Sequence, residues 1–426
     1  MTRMQATSIA YGFGAVNPRP SAILNRMQCQ RKVEYRLYPS PNQAAELARM
    51  SDTCRKVYNW ALAERRDYYE ATGKTLSFAE ECRRLTVARR TDFAWKAVHT
   101  HALQLALKRV DLAFGHFFRR VKSGEKPGYP RFKSQDRFSG FGFKEHGNGW
   151  RLEKKEVRIT GIGRVKLRGK ASFDTINPKT CELIQRSGKW YMSVTFVLEA
   201  LPERERTGEM ISGLDWGVET FATLANSDGT SEEIANPRHL RKQLDRLAVE
   251  QQAFARRKRG SKRRHLAKQR VARLHEKVRR QRQNFLHQTT AKLAASRRVI
   301  AVEKLSPLVM SAAGGAAKAG LNREILAAAA GAFHSMLAYK AEEAGSTIIE
   351  IDPRLHRPSQ TCSGGGPARK KSLAEREHVL PDGSVISRDL NAARNLLNLA
   401  LGREPAQHSG PGIGPDTGCE TATIAA

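Results

Sequence analysis

The stretch Ile211-Ser-Gly-Leu-Asp-Trp-Gly-Val-Glu-Thr-Phe-Ala-Thr-Leu-Ala-Asn-Ser-Asp-Gly-Thr230 decides the fold. It predicts an apolar strand that carries Asp215, then a glycine turn, then a second strand from Thr220 to Ala225 that closes on the hairpin signal Asn-Ser-Asp-Gly. Burying a lone carboxylate among apolar residues costs free energy unless a cation meets it, so Asp215 needs a positive partner. An Asp beside a Gly can equally close a turn, and this stretch alone leaves both interpretations open.

The composition of the chain indicates a polyanionic partner. Its 426 residues include 74 Lys and Arg against 42 Asp and Glu, a formal net charge of +32. An excess of this size exceeds what a solvated surface needs, and nucleic acid is the default partner. The length suits two or three domains with real cores. Since no apolar run approaches the ~18 residues of a membrane span, we expect a soluble protein without a membrane partner.

The cysteines and the chain ends suggest a reducing compartment and disordered termini. No paired framework links the six cysteines, and no signal peptide opens the chain. We expect a prokaryotic cytoplasmic protein. Residues 1–27 are expected to be a disordered leader, with Met27 as an alternative start, and residues 403–426 a disordered Gly/Pro-rich tail.

The first half of the chain predicts a β-structure with inserted helices. Residues 32–39 alternate as a strand, and Ser40 then caps a helix with Pro41 at its first position. A helical pattern from Ala44 to about Arg120 predicts roughly four helices. Four alternating segments between Arg151 and Leu198, separated by Gly turns, predict a small antiparallel barrel.

A loop in this half interleaves basic and aromatic residues. It breaks the helical pattern between residues 124 and 134, and its candidate nucleic-acid contacts are Tyr129, Arg131, Phe132 and Lys133. Such a loop suits contact with phosphates and stacking on bases. A Pro/Gly connector with incidental charge explains the same residues equally well.

A strongly basic segment lies between Pro237 and Gln283. It contains eighteen Lys and Arg residues against only three acids. Helical spacing of its leucines predicts two long helices joined at a tip whose cations are Arg256, Arg257, Lys258, Arg259, Lys262, Arg263 and Arg264. A solvated helix gains from mixed charge pairs and loses from like ones, so the one-sided sign favours an external polyanion. Phosphate contacts of this kind give salt-dependent affinity with little sequence information.

Two further carboxylates end or begin predicted elements. Glu303 closes an apolar strand, a run from 306 to 320 is expected to be mobile, and a helix over 322–344 and a strand over 346–352 follow. Asp389 stands in the first turn of a last helix, where the macrodipole alone would favour an acid. Taken together with Asp215, this order of elements predicts an RNase H-like mixed sheet.

Three converging carboxylates predict a metal-dependent chemistry. They repel one another and need divalent metal, for which Mg²⁺ is the first choice and Mn²⁺ the alternative. Two such ions roughly 4 Å apart activate the attacking water and stabilise the leaving oxygen of a phosphodiester. We therefore expect phosphodiester hydrolysis with Asp215, Glu303 and Asp389 as catalytic and metal-binding residues.

Three motifs resemble the RuvC motifs of the transposon-encoded TnpB nucleases, compact relatives of type V CRISPR effectors. They are Gly213-Leu-Asp-Trp-Gly-Val, Val302-Glu-Lys-Leu305 and Arg388-Asp-Leu-Asn-Ala-Ala-Arg-Asn395. Tyr35-Arg-Leu-Tyr-Pro39, Cys54-Arg-Lys-Val-Tyr-Asn59, Pro130-Arg-Phe-Lys133 and Gly188-Lys-Trp-Tyr191 are similar to the family's recognition half. The resemblance spans residues 30–402. It implies an RNA-guided DNA endonuclease with a guide RNA, a double-stranded DNA target and one Mg²⁺-dependent RuvC site formed by the three acids, nucleoid-associated when bound to DNA.

The resemblance also implies a domain plan of the α/β plus α+β, multidomain class. A β-barrel wedge domain would comprise residues 28–45 and 121–205, with a helical recognition insert at 46–120. An RuvC-like nuclease domain with a mixed sheet and the basic helical hairpin would comprise 206–361 and 388–402, interrupted by a degenerate zinc-ribbon insert at 362–387.

The ribbon departs from the family pattern. Of the four zinc ligands expected from two Cys-x-x-Cys pairs, only Cys362 remains, whereas structural zinc takes four N/S ligands. We predict no zinc and a metal-free loop held by Leu373, Val379 and Val385. Two alternatives stay open: an RNA-guided DNA-binding protein with weak nuclease activity, acting as a repressor, and a compact type V CRISPR effector. The sequence does not fix the oligomeric state.

Overall fold

A computed structural model of the chain describes residues 29–138, 140–169, 171, 177–306, 310–311, 315–365 and 375–403. The chain divides into two compact units between Leu201 and Pro202. The predicted leader, 1–27, and the predicted tail beyond residue 403 lie outside the described residues. The five cysteines within the described ranges are free: Cys29, Cys54, Cys82, Cys181 and Cys362.

Within its described residues, the first unit contains one antiparallel sheet of seven strands. They are β1 (Cys29–Tyr38), β2 (Gly140–Phe143), β3 (Trp150–Leu152), β4 (Glu156–Ile159), β5 (Gly163–Arg168), β6 (Pro178–Arg186) and β7 (Lys189–Leu198). Their order is β2-β6-β7-β1-β5-β4-β3. Since β2 and β3 end this order, the described strands form a curled half-barrel, which confirms the antiparallel, curled character of the predicted small barrel.

Four helices lie between β1 and β2, as the periodicity predicted. They are α1 (Pro41–Thr72), α2 (Phe78–Thr91), α3 (Phe93–Lys96) and α4 (Thr100–Lys122). The predicted cap of α1 is present as a reciprocal capping box, in which Ser40 Oγ accepts from Gln43 N and Gln43 Oε1 accepts from Ser40 N. Gly73, at φ 67°, ends α1 in the left-handed conformation that glycine adopts without strain.

A buried ion pair joins two of these helices. Arg65 on α1 donates from Nη2 to Glu81 Oε2 on α2 at 2.8 Å, and the two side chains are 5% and 1% exposed. Asp111 on α4 lies 3.3 Å from the same guanidinium. A buried charge that loses its partner is costly, because neither water nor another group replaces the lost interaction.

We therefore expect Glu81→Ala to lower the free energy of unfolding by about 3 kcal/mol, since it leaves Arg65 with only the longer contact to Asp111. Urea unfolding of the full chain measures this. The matched control is Glu80→Ala, one residue away, whose side chain is 36% exposed beside Arg83 and Arg84. That change should cost less than about 1 kcal/mol. Equal losses in the two variants would contradict the role of the buried pair.

The part of the second unit that the structure describes contains a mixed sheet of five strands. They are β8 (Met210–Trp216), β9 (Thr220–Asn226), β10 (Ser231–Ala235), β11 (Arg297–Glu303) and β12 (Thr347–Ile351), in the order β10-β9-β8-β11-β12. Strand β9 is antiparallel to β8 and β10, whereas β11 is parallel to β8 and β12. The predicted hairpin signal forms the turn between β9 and β10, with Gly229 at φ 84°.

Six described helices and a small hairpin complete this unit. The helices are α5 (Leu244–Ala255), α6 (Lys262–Ser296), α7 (Gly315–Ala328), α8 (Ala330–Ala344), α9 (Pro353–His356) and α10 (Arg388–Ala400). Strands β13 (Glu377–Val379) and β14 (Val385–Ser387) pair antiparallel. One core joins sheet residues such as Leu214, Phe221 and Ile300 to Leu286 of α6 and Phe333 of α8. None of the described helices has both the length and the apolar character that crossing a membrane requires.

Several predicted details of this unit were wrong. The first helix of the basic hairpin has only 12 residues, against 35 for α6. Residues 315–320, predicted to be mobile, belong to α7, and the helix predicted over 322–344 is broken at Ala329, at φ 55°. Val379 and Val385 are 64% and 57% exposed, so they do not hold the ribbon loop by burial. Leu373 lies outside the described residues.

Candidate active site

Two of the three predicted acids lie side by side at the carboxyl ends of two adjacent inner strands of the mixed sheet. In the parallel pair of β8 and β11, Leu214 is opposite Val302. The next residue of each strand is an acid, Asp215 and Glu303. Neighbouring residues of parallel strands point to the same face. The register therefore brings both carboxylates to the same face at the carboxyl ends of adjacent strands.

Helix α10 brings the third acid to these strand ends. It packs so closely on β8 that a Cβ atom added to Gly213 would lie 2.1 Å from Ala393 O and 2.4 Å from Leu397 N. Asp215 lies about 6.6 Å beyond Gly213 along the strand, and Asp389 lies about 6 Å before Ala393 along the helix. These two distances are similar, so both acids lie at a similar distance from the point where α10 contacts Gly213. A Cβ atom on Gly217 would accordingly lie 3.9 Å from Asp389 Oδ2. Asp389 thus stands over the end of β8.

The three carboxylates act on one another electrostatically. Burial raises the pKa of Asp215 well above its usual value, and the negative charges of Glu303 and Asp389 raise it further. Burial also raises the pKa of Glu303. The positive charge of Arg388 acts in the opposite direction on both groups, but their pKa values stay raised. Arg388 is therefore a cation whose charge acts on Asp215; it was not predicted, although it directly precedes Asp389 in the sequence.

The start of α10 fixes the position of Asp389 in the chain. Ser387 Oγ accepts a hydrogen bond from Leu390 N at 3.1 Å and so caps the helix. The cap places Asp389 in the first turn, near the positive end of the helix dipole. Asp389 can thus stabilise the start of the helix and also serve as one of the three predicted metal-binding acids.

Two amides on α10 hold the loop that contains Cys362. Asn391 Nδ2 donates to Thr361 O at 2.8 Å, and Asn391 Oδ1 accepts from Ser363 N at 2.9 Å. One turn later, Asn395 Nδ2 donates to Thr361 O at 2.7 Å. Both side chains are almost fully buried. The sequence could have indicated this shared role, because a spacing of four residues places both side chains on one face of a helix.

The two parts of the predicted ribbon insert, the Cys362 loop and the turn between β13 and β14, lie in contact. Cys362 is 7% exposed. A Cβ atom on Gly364 would lie 3.0 Å from Pro381 Cδ, so the Cys362 loop packs against the turn between β13 and β14. Within the described ranges, no group of three or more Asp, Glu, His or Cys side chains is arranged so that it could hold a metal ion, either here or at the three acids. The absence of zinc remains a prediction.

The predicted loop contacts lie in the first unit, whereas the three acids lie in the second. Tyr129 and Phe132 are 49% and 50% exposed, Arg131 is exposed and Lys133 is partly buried. The structure therefore leaves both aromatic rings available to a ligand.

At the tip of the basic hairpin, one predicted cation differs from the others. Arg264 Nη1 donates to Phe254 O at 3.0 Å and to Arg257 O at 2.7 Å, and its guanidinium lies 4.1 Å from the centre of the Phe254 ring. It closes the C-terminal end of α5, where a cation is favourable. The other predicted cations of the tip are exposed: Arg256, Arg257, Lys258, Arg259, Lys262 and Arg263.

Glu276 on α6 gives the hairpin a pH-dependent contribution to stability. It is 7% exposed and accepts hydrogen bonds from Arg279 and Arg280, which lower its pKa from 4.5 to about 2. A carboxylate whose pKa is lower in the folded state stabilises that state above the unfolded pKa. This contribution is lost as the pH falls from 4.5 towards about 2.

We expect Glu276→Gln to lower the free energy of unfolding by about 1–2 kcal/mol at pH 7, a figure reduced for the solvent around the arginines. The difference from the wild type should shrink steadily as the pH falls below 4.5, the ordinary pKa of the group. Urea unfolding over a pH series measures it, with the exposed Asp245→Asn as control. A difference that stays constant down to the lowest pH would contradict the assignment.

Comparisons with known proteins match the chain in three segments. A family model described as "Probable transposase" matches residues 193–311, and one described as "Cas12f1-like, TNB domain" matches residues 331–396. A model described as "Helix-turn-helix domain" matches residues 27–74. In this chain the described part of that segment forms β1 and the single long helix α1.

Two relatives match over most of their length. A protein of Streptomyces pristinaespiralis named "Putative RNA-guided DNA endonuclease" is 30% identical over 393 residues, which cover 91% of this chain and 93% of that protein. The Escherichia coli K12 protein named "Putative RNA-guided DNA endonuclease InsQ" is 29% identical over 380 residues, covering 85% and 90%. A solved structure described as "Cryo-EM structure of the Cas12f1-sgRNA-target DNA complex" shares the fold with a TM-score of 0.53 at 12% identity, covering 87% of this chain and 99% of that chain.

Proposed function

The chain belongs to the TnpB family of RNA-guided DNA endonucleases, and we propose on that premise that it uses a guide RNA to select double-stranded DNA, whose phosphodiester bonds it hydrolyses. The observation that carries the proposal is the meeting of Asp215, Glu303 and Asp389 at one edge of the mixed sheet. Three acids from two strands and a helix have no structural need to share one edge, since their mutual repulsion costs free energy.

The acids suit a hard divalent cation. All three offer carboxylate oxygens, which Mg²⁺ prefers and Mn²⁺ accepts, and the negative charges of Glu303 and Asp389 both act on Asp215. The donor chemistry therefore fits the ion.

The placement of the residues supports the roles that we propose for them. Asp215 and Glu303 present carboxylates from adjacent parallel strands, and Asp389 faces them from α10. The three acids would hold Mg²⁺ in the two-ion arrangement that we propose, and the ions would supply Lewis-acid chemistry at the attacking water and the leaving oxygen. Arg388 would offset part of the negative charge at Asp215 and Glu303, and a bound metal ion would favour their ionised forms.

The domain plan is part of the proposal. The strand order β10-β9-β8-β11-β12, with β11 and β12 parallel to β8, supports an RuvC-like nuclease domain in residues 206–361 and 388–402. The half-barrel and its four helices would serve as wedge and recognition domains. Exposed cations of the hairpin tip would contact phosphates of the guide or the target. The insert at 362–387 would function without zinc.

Programmed cleavage tests this function. The full chain is purified together with its co-expressed RNA, and the target-pairing segment of that RNA is replaced by one complementary to a labelled DNA duplex. We expect Mg²⁺-dependent cutting of that duplex and none of a duplex with a scrambled target. A complex that binds the matched duplex but leaves it intact would favour a repressor-like binder. A protein that retains no RNA would refute guide dependence.

A further inference from the structure

The loop between α4 and β2 is held at one residue by a two-way hydrogen bond. Lys133 N donates to Asn59 Oδ1 at 2.8 Å, and Asn59 Nδ2 donates back to Lys133 O at 3.0 Å. Arg55, itself paired with Asp52, donates to the same carbonyl at 3.3 Å. An amide that satisfies both backbone groups of one residue fixes that residue much as a β-strand partner would.

The residue before this anchor presents an aromatic ring to solvent. Phe132 is 50% exposed, although a ring of this size gains free energy when it is buried. The guanidinium of Arg66 lies 6.0 Å from the centre of the ring, at the outer limit of a cation–π contact. Two hydrogen bonds of the Asn59 amide thus hold a loop in which the Phe132 ring remains half exposed to solvent.

A second aromatic ring in this loop is held from behind. Tyr129 meets the rings of Phe114 and Phe117 edge to face, each with centroids 5.6 Å apart, and remains 49% exposed. Since one side of the ring packs against α4, its orientation is fixed. The loop therefore offers two ordered rings rather than one mobile side chain.

The chain segment that carries the two rings is rich in cations. Between residues 119 and 133 the sequence holds one acid, Glu125, and the cations Arg119, Arg120, Lys122, Lys126, Arg131 and Lys133. Rings alone would suit an apolar protein or a lipid, but such a partner does not need this many cations. A chain of phosphates satisfies the cations, and the faces of its bases satisfy the rings.

Bases inside a duplex are stacked on both faces and leave no surface for a ring. An unpaired or terminal nucleotide has an open face next to a phosphate. We propose that Phe132 stacks on such a base, that Arg131 contacts its flanking phosphate, and that Asn59 is a positioning residue for the loop; the inference rests on the proposed nucleic-acid function. Base–aromatic stacking tolerates any base, so this contact selects an open end rather than a sequence.

Ultraviolet crosslinking of the full RNA–protein–DNA complex, followed by mass spectrometry, tests the contact. We expect a nucleotide attached to the peptide that contains Phe132. Its sugar identifies the source, because a ribonucleotide comes from the guide and a deoxyribonucleotide from the target. A crosslink map with nucleotides on other peptides of the complex but none on this one would overturn the proposal.

Matched variants provide the second measurement. Phe132→Leu keeps an apolar side chain but removes the ring, and should weaken binding of the nucleic acid identified above by about 5- to 100-fold. Phe132→Trp should retain the wild-type affinity, and Arg131→Gln should reduce the slope of log affinity against log salt by about one. Asn59→Ala should lower the crosslink yield at Phe132. Its melting temperature should stay close to that of the wild type, whereas that of Glu81→Ala should fall.

The two proposals fail in different ways. If Phe132→Leu binds as tightly as the wild type while the complex still cuts matched DNA, the stacking contact is wrong and the nuclease function stands. A purified protein that neither retains RNA nor cuts DNA would instead remove the function on which the contact rests.

Discussion

We expect Asp215→Asn to lower guide-directed DNA cleavage by a factor of about 10³ or more, because metal ligation supplies several kcal/mol of transition-state stabilisation and each 1.36 kcal/mol is tenfold in rate. The substitution keeps the size of the side chain and removes its charge. Asp215 lies with Glu303 and Asp389 and not in the basic hairpin, so we expect the protein to retain its RNA as the wild type does. Single-turnover cleavage of a labelled duplex measures the loss.

The control for this variant lies in the same sheet, at the turn between β9 and β10. Asp228 is an exposed acid in the turn between β9 and β10, where it accepts hydrogen bonds from Thr230. Asp228→Asn changes the net charge by the same amount without touching the three acids and should cut at the wild-type rate. If Asp215→Asn also cut at that rate, the catalytic assignment would fail.

The second large effect is expected from Gly213→Val. A Cβ atom there would overlap Ala393 O at 2.1 Å and Leu397 N at 2.4 Å, both backbone atoms of α10 that cannot rotate away. The helix must shift, and Asp389 shifts with it. Misplacing a reacting group by about 1 Å costs about 10²-fold in rate, and overpacking adds about 1–3 kcal/mol of lost stability.

Single-turnover cleavage and thermal unfolding measure the two consequences of Gly213→Val. Gly320→Ala serves as the control, because Gly320 lies in α7 and an added Cβ atom meets nothing within 4 Å. That variant should retain full activity and gain up to about 1 kcal/mol from higher helix propensity. Wild-type activity in Gly213→Val would show that the position of α10 on β8 does not control the site.

The acids could be predicted because each stands at an element boundary that the local pattern reveals. Asp215 and Glu303 each end an apolar run, and Asp389 follows a Ser cap. The resemblance of the three motifs to the family supplied their joint role, and the parallel register of β8 and β11 supplied the geometry afterwards. The way in which β8, β11 and α10 pack together depends on contacts between residues far apart in the sequence. A local sequence pattern does not contain that information.

The missed features depend on such distant contacts. Arg388 gains its role from the strands that it faces, and Arg264 from the carbonyls of a helix before it in the chain. Asn59 holds a loop more than seventy residues away in sequence. The ends of α7 were missed for another reason. An Ala/Gly-rich run has too few large apolar residues for a periodic pattern, so the start of that helix and the break at Ala329 leave no signal.

Anomalous diffraction at the manganese edge, from crystals of the full chain with its RNA soaked in Mn²⁺, tests whether the three acids bind metal. We expect an anomalous peak within about 2.0–2.2 Å of carboxylate oxygens from Asp215 and at least one of Glu303 and Asp389. The peak should be lost in Asp215→Asn. Strong manganese peaks elsewhere on the protein, with none beside these three acids, would contradict this expectation.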